Sequence, residues 1–256
     1  MPAALVTGGG ARLGKAMALY LAQRGYDVAV HYNSSAKGAE DVAAACGGKS
    51  VAIKADLLDE AQTSALLPEA AKQLGRPISV LVNNASIFEY DTIETATKDS
   101  WDRHMGSNLR APFVLTQALA QQAPEAGTDE NAERLATALV INMLDQRVRK
   151  LTPEFMTYTL AKMGLWAFTQ TAAMGLAPHV RVNAIGPGPT LQGARQSDAH
   201  FQDQRNNTVL KRGANTSDIT AALGYFLDAP AVTGQLLCVD GGQHIGWQTP
   251  DIRGVE

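Results

Sequence analysis

The 256-residue sequence is poor in cysteine and has no long hydrophobic run. Its two cysteines, Cys46 and Cys238, are far apart and fit neither a CxxC motif nor a Cys/His spacing. This pattern argues against a disulfide framework and a structural zinc site, and it favours a reducing, cytoplasmic setting. No stretch of 18 apolar residues occurs, and residues 3–6 begin a strand-like run without a preceding basic segment. We therefore expect neither a membrane span nor secretion.

An excess of positive charge is also lacking. The chain has 22 Lys and Arg against 25 Asp and Glu, a formal net charge of −3. Such a balance provides no global positive field for nucleic acid or anionic lipid, which makes a nucleic-acid-binding or membrane-surface protein an unlikely class. Hydrophobic residues make up 45% of the chain and charged residues 18%, which is typical of a globular protein with a sizeable core.

Short β-rich runs alternate with longer segments of helical periodicity along the whole chain. The predicted strands are 3–6, 27–32, 50–55, 79–83, 138–142, 181–185 and 235–239, and the predicted helices are 13–24, 36–46, 59–74, 100–122, 157–176 and 217–227. Strict alternation predicts an α/β fold with a doubly wound, Rossmann-type parallel sheet and helices on both faces. Because no linker, repeat or charge shift divides the chain, we expect residues 1–256 to form a single domain.

The least regular stretch is 187–213, which is rich in Gln, Asn, Asp and Arg and follows a predicted strand. Ligands of doubly wound sheets bind outside the carboxyl ends of the strands. We therefore interpret residues 187–213 as a substrate lid, and we use that name below.

A glycine-rich loop, Thr7-Gly-Gly-Gly-Ala-Arg-Leu-Gly14, lies between the first strand and the first helix. Glycines permit a tight turn and close backbone approach, and the helix N-terminus offers free N–H groups to a pyrophosphate. The loop departs from the plain GxGxxG pattern because Arg12 stands where a glycine is usual. A plain tight turn is the alternative, but the strand before and the helix after favour a dinucleotide site that includes Gly8, Arg12 and Leu13.

The second predicted strand ends without the acidic residue that NAD-binding proteins use for the ribose 2′-hydroxyl. Arg12 can instead pair with a 2′-phosphate, assisted by polar residues at this strand end. The residues assigned here to the cofactor are His31, Tyr32, Asn33 and Ser34, with Asp56 and Leu57 after the third strand beside the adenine. An ordinary polar strand end and a helix N-cap are the structural alternatives. The combination predicts NADP(H).

Tyr158 and Lys162 lie four residues apart, one helical turn, on the same face of a predicted helix. A nearby cation stabilises a phenolate, so such a tyrosine can act as a general acid toward a group that receives hydride. The motif occurs often by chance, but here it accompanies other polar or glycine-rich motifs at strand ends or on a neighbouring helix. These are Asn83-Asn84-Ala85-Ser86, Asn108 and Ile185-Gly-Pro187-Gly188-Pro-Thr190.

Together these motifs resemble the classical short-chain dehydrogenase/reductase family over essentially the whole chain. The resemblance implies a proton relay of Asn108, Tyr158 and Lys162, with Lys162 also holding the nicotinamide ribose and Asn108 supporting a water chain. It further implies that Asn84-Ala85 and Pro187-Gly188 contact the cofactor, that Asp240-Gly-Gly242 is the family's C-terminal motif, and that the protein is a homotetramer.

One departure from that family is informative. The usual catalytic serine lies thirteen positions before the tyrosine, where this sequence has Asp145. A carboxylate would repel a developing alkoxide, whereas a carboxyl group suits a ring nitrogen or an amino edge. A structural loop aspartate is the alternative.

Four features of the sequence are similar to the pteridine reductase branch of the family. They are Asp145 at the serine position, Arg12, the strand end His31-Tyr32 and the run Asn84-Ala-Ser86-Ile-Phe88. That resemblance implies a pterin stacked between Phe88 and the nicotinamide, with Ser86, Asp145 and Tyr158 as further contacts. Ser34 departs from it, since those enzymes often have arginine there, and the lid has no clear counterpart.

Three functions follow in order of preference: an NADPH-dependent reductase of a pterin, dihydropterin or dihydrofolate C=N bond, a carbonyl reductase of another small molecule, and a cofactor-binding scaffold that has lost catalysis. Arg147, Arg149 and Lys150 can hold the acidic tail of a folate, although a solvated loop is the more ordinary interpretation. Helices 100–122 and 157–176 carry more apolar residues than one sheet face needs, which favours subunit contacts. The residues concerned are Phe113, Leu115, Leu165, Trp166 and Phe168, and residues 246–248 are expected to approach a neighbouring subunit's site.

Overall fold

A seven-stranded parallel sheet runs through the computed structural model, which describes residues 1–193 and 195–249. The strands are β1 (Ala3–Val6), β2 (Asp27–Tyr32), β3 (Val51–Lys54), β4 (Val80–Asn83), β5 (Gly127–Thr128), β6 (Arg134–Leu135), β7 (Ala138–Met143), β8 (Val180–Pro187) and β9 (Leu236–Val239). The sheet order is β3-β2-β1-β4-β7-β8-β9, and β5 and β6 form a separate antiparallel hairpin. All seven predicted strands are present.

Helices cover both faces of this sheet, as the alternation predicts. They are α1 (Arg12–Gln23), α2 (Ala36–Cys46), α3 (Glu60–Leu74), α4 (Lys98–Met105), α5 (Ala111–Gln122), α6 (Met156–Gly175), α7 (Asp198–Asn206) and α8 (Thr216–Asp228). On one face α3, α5 and α6 bury Leu66, Leu119 and Ala172. On the other face, α1 and α8 bury Leu21 and Phe226. The doubly wound α/β fold is therefore confirmed.

The strand order places a crevice at the carboxyl edge of the sheet. β1 pairs with β2 on one side and with β4 on the other, so the direction of winding reverses at β1. The loops after β1 and β4 leave the sheet on opposite sides at this point, which is where open α/β sheets bind ligands.

Three elements differ from the sequence expectations. The helix predicted over 100–122 begins earlier, at Lys98, and contains a π-helical turn at Gly106–Arg110 between α4 and α5. The lid contains α7, which has no buried residue and therefore no apolar stripe to reveal it. The β5–β6 hairpin has two-residue, fully exposed strands, too short for an alternation signal.

The two helices expected to supply subunit contacts divide their apolar residues between the core and the surface. Leu115 and Leu165 are buried, with relative exposures of 0% and 1%, so their assignment to subunit contacts is wrong. Both point inward because they occupy the helix positions that face the sheet. Phe113, Trp166 and Phe168 are only partly buried, so their assignment to subunit contacts stays a prediction.

Some features are absent from the described residues. No helix within 1–193 and 195–249 is long and apolar enough to cross a membrane. The same residues contain no cluster of three His, Cys, Asp or Glu side chains suited to a metal ion. Cys46 and Cys238 are both free thiols, and burial raises the pKa of each to about 11.

Candidate active site

A cleft of about 770 Å³ opens at the carboxyl edge of the sheet, below the lid. Most of the predicted site residues line it: Gly8, Arg12, Leu13, His31, Asn33, Asp56, Leu57, Asn84, Ala85, Ser86, Phe88, Asp145, Pro187 and Gly188. Tyr158, Lys162 and Asn108 are buried immediately behind its wall. Tyr32 and Ser34, at the end of β2, lie outside the lining.

The glycine loop forms a close-fitting cradle between β1 and α1. Gly8 has a φ of +61°, and a Cβ at Gly14 would lie 2.1 Å from the Gly8 carbonyl oxygen, so both positions require glycine. Asn84 donates from Nδ2 to the Thr7 carbonyl oxygen at 2.9 Å, which ties β4 to this loop. No side chain caps the N-terminus of α1, and its first turn has no acidic residue. The free N–H groups there suit a pyrophosphate.

His31 braces the glycine loop. Its Nδ1 accepts a hydrogen bond from the Gly8 N–H at 3.0 Å, and its Nε2 lies 3.0 Å from the Ala55 carbonyl oxygen. Since a carbonyl only accepts, Nε2 carries the proton and the ring is neutral. Burial lowers the pKa of His31, which agrees with the neutral form. The backbone thus engages both ring nitrogens of His31, and its assignment to the cofactor stays a prediction.

Arg12 reaches the lid and not the end of β2. Its guanidinium donates to the carbonyl oxygens of Leu191 and Gln192, each at 3.0 Å. These residues follow β8, which lies four strands from β2 in the sheet, or roughly 19 Å at about 4.8 Å per strand. In this arrangement the Arg12 side chain connects the glycine loop to the lid, and its assignment to a 2′-phosphate stays a prediction.

The end of β2 remains without a carboxylate. Asn33, Ser34 and Ser35 precede α2, whose N-terminus has neither a side-chain cap nor an acidic first turn. Asp56 accepts from the Leu58 N–H through Oδ1 at 3.0 Å. The N-cap of α3 is Asp59, so Asp56 is not the capping residue.

Tyr158 and Asp145 are joined directly. The phenol of Tyr158 donates to Asp145 Oδ2 at 3.1 Å, and Asp145 Oδ1 accepts from the Arg147 N–H at 2.8 Å. Burial raises the pKa of Tyr158 well above its ordinary value, and the charge of Asp145 acts in the same direction. Tyr158 therefore holds its proton at neutral pH.

Lys162 completes this group from the next turn of α6. Its Nζ donates to the Met143 carbonyl oxygen at 2.8 Å and lies 5.6 Å from the centre of the Tyr158 ring. Burial lowers the pKa of Lys162 to about 8, although Asp145 opposes the shift. A lysine with this pKa is mostly charged at pH 7 and loses its charge in mildly alkaline solution.

Asn108 lies in the π-helical turn and is fully buried. Its Oδ1 accepts from the Ile87 N–H and its Nδ2 donates to the Ile87 carbonyl oxygen, both at 2.8 Å. The side chain thereby fixes the backbone between Ser86 and Phe88. Irregular helical turns of this type occur frequently at functional sites.

An aromatic pair forms one wall of the cleft. The Phe88 ring stacks on Phe155, with centroids 4.3 Å apart and planes inclined by 11°. Tyr158 meets Phe88 edge-on at 4.7 Å. Phe88 nevertheless keeps 44% of its surface exposed, so Phe155 supports one face of its ring and much of the rest is open to the cleft.

The lid is held at its base and lies along the cleft. Arg205 in α7 donates to the carbonyl oxygens of Pro189 and Ala214 at 2.8 and 2.7 Å. Thr190, Leu191, Gln196, Phe201 and Gln204 contribute to the cleft lining from this segment. The interpretation of 187–213 as a substrate lid stays a prediction.

Sequence reasoning missed several residues of the site. Phe155 precedes α6 with a φ of +56°, a left-handed conformation that no motif indicates. Arg195 lies in the irregular part of the lid, where no sequence pattern singles it out. His104 has the same sequence pattern as any other buried residue of a helix. Only Phe155 had an available signal, since it lies three positions before Tyr158 and is aromatic.

Comparisons with known proteins bear on this site. A family model described as enoyl-(acyl carrier protein) reductase matches residues 10–244. A crystal structure of FolM alternative dihydrofolate reductase 1 from Brucella suis in complex with NADP is 40% identical, has a TM-score of 0.90, and covers 98% of each chain. Pteridine reductase 1 of Leishmania tarentolae is 30% identical over 94% of this chain and 96% of its own. A 3-oxoacyl-[acyl-carrier-protein] reductase of Staphylococcus epidermidis is 31% identical over 94% and 98%.

Proposed function

Because the chain belongs to the short-chain dehydrogenase/reductase family of oxidoreductases, we propose that it uses NADPH to reduce a C=N bond of a pterin, dihydropterin or dihydrofolate. The observation that carries this proposal is the hydrogen bond from Tyr158 to Asp145 beside the exposed ring of Phe88. A proton donor, a carboxyl group and a flat aromatic surface converge there, and these are the features that a nitrogen heterocycle requires.

The cofactor fits the cradle between β1 and α1. Gly8, Leu13 and the N-terminus of α1 would hold the pyrophosphate, because the loop leaves no room for side chains and the helix end is uncapped. The same wall of the cleft offers Asp56 and Leu57 to the adenine, Asn84 and Ala85 to the central part, and Pro187 and Gly188 to the nicotinamide.

The preference for NADP(H) over NAD(H) rests on the end of β2. Asn33, Ser34 and Ser35 supply donors, the α2 N-terminus is free, and no carboxylate is present to repel a phosphate. The NADP complex of the Brucella suis structure supports the same choice. Tyr32, the last residue of β2, would contribute to the same cofactor site through its backbone.

When bound, NADPH supplies a hydride to the carbon of the C=N bond. Tyr158 holds a proton that the nitrogen of that bond can accept, and Lys162, which is buried and positively charged at neutral pH, stabilises the phenolate left behind. Asp145 accepts hydrogen bonds from N–H or amino groups of the ring and orients Tyr158. Asn108 keeps the Ile87 backbone in place so that Ser86 and Phe88 face the ring.

A substrate assay separates this function from its alternatives. The purified protein with NADPH is given dihydrobiopterin, dihydromonapterin, dihydrofolate and simple ketones, and oxidation of NADPH is followed at each substrate concentration. We expect turnover of at least one pterin or folate and little turnover of ketones. Efficient ketone reduction without pterin reduction would assign the protein to carbonyl reductases, and NADPH binding without any turnover would indicate an inactive scaffold. Cytoplasmic location and a homotetrameric state complete the proposal.

A further inference from the structure

Two arginines flank the pair of Phe88 and Phe155, of which Phe88 lines the cleft. The Arg147 guanidinium carbon lies 5.1 Å from the centre of the Phe155 ring. On the lid side, the Arg195 guanidinium carbon lies 5.2 Å from the Phe88 ring centre and 5.6 Å from that of Phe155. Arg195 also donates to the Phe88 carbonyl oxygen at 2.9 Å. Positive groups from separate segments thus surround the ring on which we place the substrate.

The position of Arg195 leaves the open face of Phe88 free. A group above that face would be much farther from Phe155, whose ring is stacked 4.3 Å behind Phe88. Arg195 is instead almost equally distant from both rings, so it lies beside the stack. A flat ligand on Phe88 would have the Arg195 guanidinium at its edge.

The charges of these two arginines are not balanced by direct ion pairs. Glu89, the nearest acidic neighbour in sequence to Phe88, accepts two hydrogen bonds from Arg103, and this pairing lowers the pKa of Glu89. Within residues 1–193 and 195–249, neither Arg147 nor Arg195 forms an ion pair with a carboxylate. Arg147 donates from Nη1 to Thr152 Oγ1 and to the Glu154 carbonyl oxygen, while its Nε is buried without a hydrogen-bond partner in that part of the chain.

The other two basic residues after Asp145 are directed elsewhere. Arg149 stacks on Trp166 at 5.1 Å, and Lys150 donates to the carbonyl oxygens of Gln243 and Gly246 at 3.4 and 3.3 Å. Of the basic cluster seen in the sequence, only Arg147 lines the cleft.

We propose that Arg195, together with Arg147, binds a carboxylate-bearing tail of the substrate, so that the protein selects pterins with an anionic tail, such as dihydrofolate, over tail-less pterins. This inference rests on the proposed function. A guanidinium forms charge-assisted, often bidentate hydrogen bonds with a carboxylate. Within residues 1–193 and 195–249 Arg195 makes one hydrogen bond, to the Phe88 carbonyl oxygen, which leaves further N–H groups for a carboxylate.

The test compares two substrates in arginine variants. We measure kcat and KM for dihydrofolate and for tail-less dihydrobiopterin in the wild type, Arg195→Gln, Arg195→Lys and Arg147→Gln/Arg195→Gln. In Arg195→Gln, we expect the kcat/KM ratio of dihydrofolate to dihydrobiopterin to fall about 10-fold, mainly through KM, as expected for the loss of a charged hydrogen bond. The double variant should lower the ratio further, and Arg195→Lys should restore part of it.

Arg134→Gln is the matched control, since Arg134 is an exposed arginine in the β5–β6 hairpin and should leave both substrates unaffected. Thermal melting of each variant checks that it is folded. An unchanged ratio, or an equal loss for both substrates, would overturn the tail site and leave Arg195 as a support for Phe88. A wild type that reduces dihydrobiopterin but not dihydrofolate also overturns it. A wild type that reduces dihydromonapterin alone also overturns the tail site, and one that reduces none of the three substrates refutes the proposed function itself.

Discussion

The phenol of Tyr158 donates a hydrogen bond to Asp145 Oδ2 at 3.1 Å. Because the phenol is the donor in this pair, the accepting oxygen of Asp145 carries no proton, and the tyrosine keeps its own. The arrangement keeps a transferable proton beside the exposed ring of Phe88. Reduction of a C=N bond requires such a proton at the nitrogen. A serine in place of Asp145 would offer a neutral hydroxyl, which suits a carbonyl oxygen better.

Replacement of Asp145 tests this difference. We expect Asp145→Ser to lower kcat/KM for pterins about 10²–10⁴-fold, because the ring loses its acceptor and Tyr158, the positioned acid, loses its orientation. The same variant should gain some ketone activity. Tyr158→Phe, as the control, should abolish both reactions because each needs the proton of Tyr158. If Asp145→Ser reduced pterins at the wild-type rate, the role of Asp145 would be wrong.

The pKa of Lys162, about 8, predicts an alkaline limb in the rate of reduction. Below that pH Lys162 is charged and stabilises the phenolate that forms when Tyr158 gives up its proton. Above it the charge is lost, so kcat/KM for the pterin should fall as the pH rises through about 8. The raised pKa of Tyr158 means that the tyrosine itself remains protonated over this range.

Lys162→Arg provides the comparison for that limb, because arginine keeps its charge at alkaline pH. In this variant the fall near pH 8 should disappear, whatever its absolute rate. A profile with the same limb in both proteins would assign the titration to another group. Cofactor affinity, measured at each pH, shows whether binding contributes.

The proposed 2′-phosphate site at the end of β2 predicts the choice of cofactor. NADPH should bind more tightly than NADH by about 1–3 kcal/mol, the typical worth of charged hydrogen bonds. Ser34→Asp introduces a carboxylate there. It should lower the ratio of the Kd for NADH to the Kd for NADPH at least about 10-fold, which corresponds to 1.4 kcal/mol. Arg12→Ala should also narrow the gap, as the assignment of Arg12 to the 2′-phosphate predicts, whereas an unchanged ratio would leave Arg12 as a contact of the lid alone. Calorimetric titration of the three proteins with both cofactors measures the six affinities.

The fold and the position of the cleft were predictable because they depend on local patterns. Every residue of β7 is buried, and its continuous apolar run is the signal of a central parallel strand. The residues after β1, β4 and β8 meet because parallel strands end at one edge of the sheet. Asn84, Ser86 and Pro187 were therefore placed correctly in the cleft from their positions alone.

The direction of individual polar side chains was not predictable in the same way. Arg12 is oriented by carbonyl groups about 180 positions later in the chain, and His31 by the backbone of Gly8 and Ala55. Hydrogen bonds of such long range leave no periodic trace in the sequence. Arg195 was missed for the same reason, since only tertiary packing brings it to Phe88.

Subunit assembly is expected at an apolar groove of about 320 Å³ on α5 and α6, whose lining includes Ala120, Phe168 and Leu176. By family resemblance the protein should be a homotetramer, with a mass about four times 27.1 kDa by light scattering. Phe168→Glu should dissociate it, because a charge would be buried in the contact. Ile93→Glu, at an exposed position outside the groove, should not. A monomeric wild type at micromolar concentration would refute this assembly.

His104 connects the loop of Phe88 to the helix of Tyr158 and should therefore affect turnover as well as stability. Its Nε2 accepts from the Glu89 N–H at 3.2 Å, and its Nδ1 then donates to Thr157 Oγ1 at 2.7 Å, while Thr157 donates to Asp91. Thr157→Val keeps the shape but removes the hydroxyl, and we expect kcat to fall about 10-fold because small displacements of reacting groups are costly. Thr157→Ser restores the hydroxyl and should recover most of the rate. If Thr157→Val lowered only the melting temperature and left kcat unchanged, this network would be purely structural and would not position Tyr158.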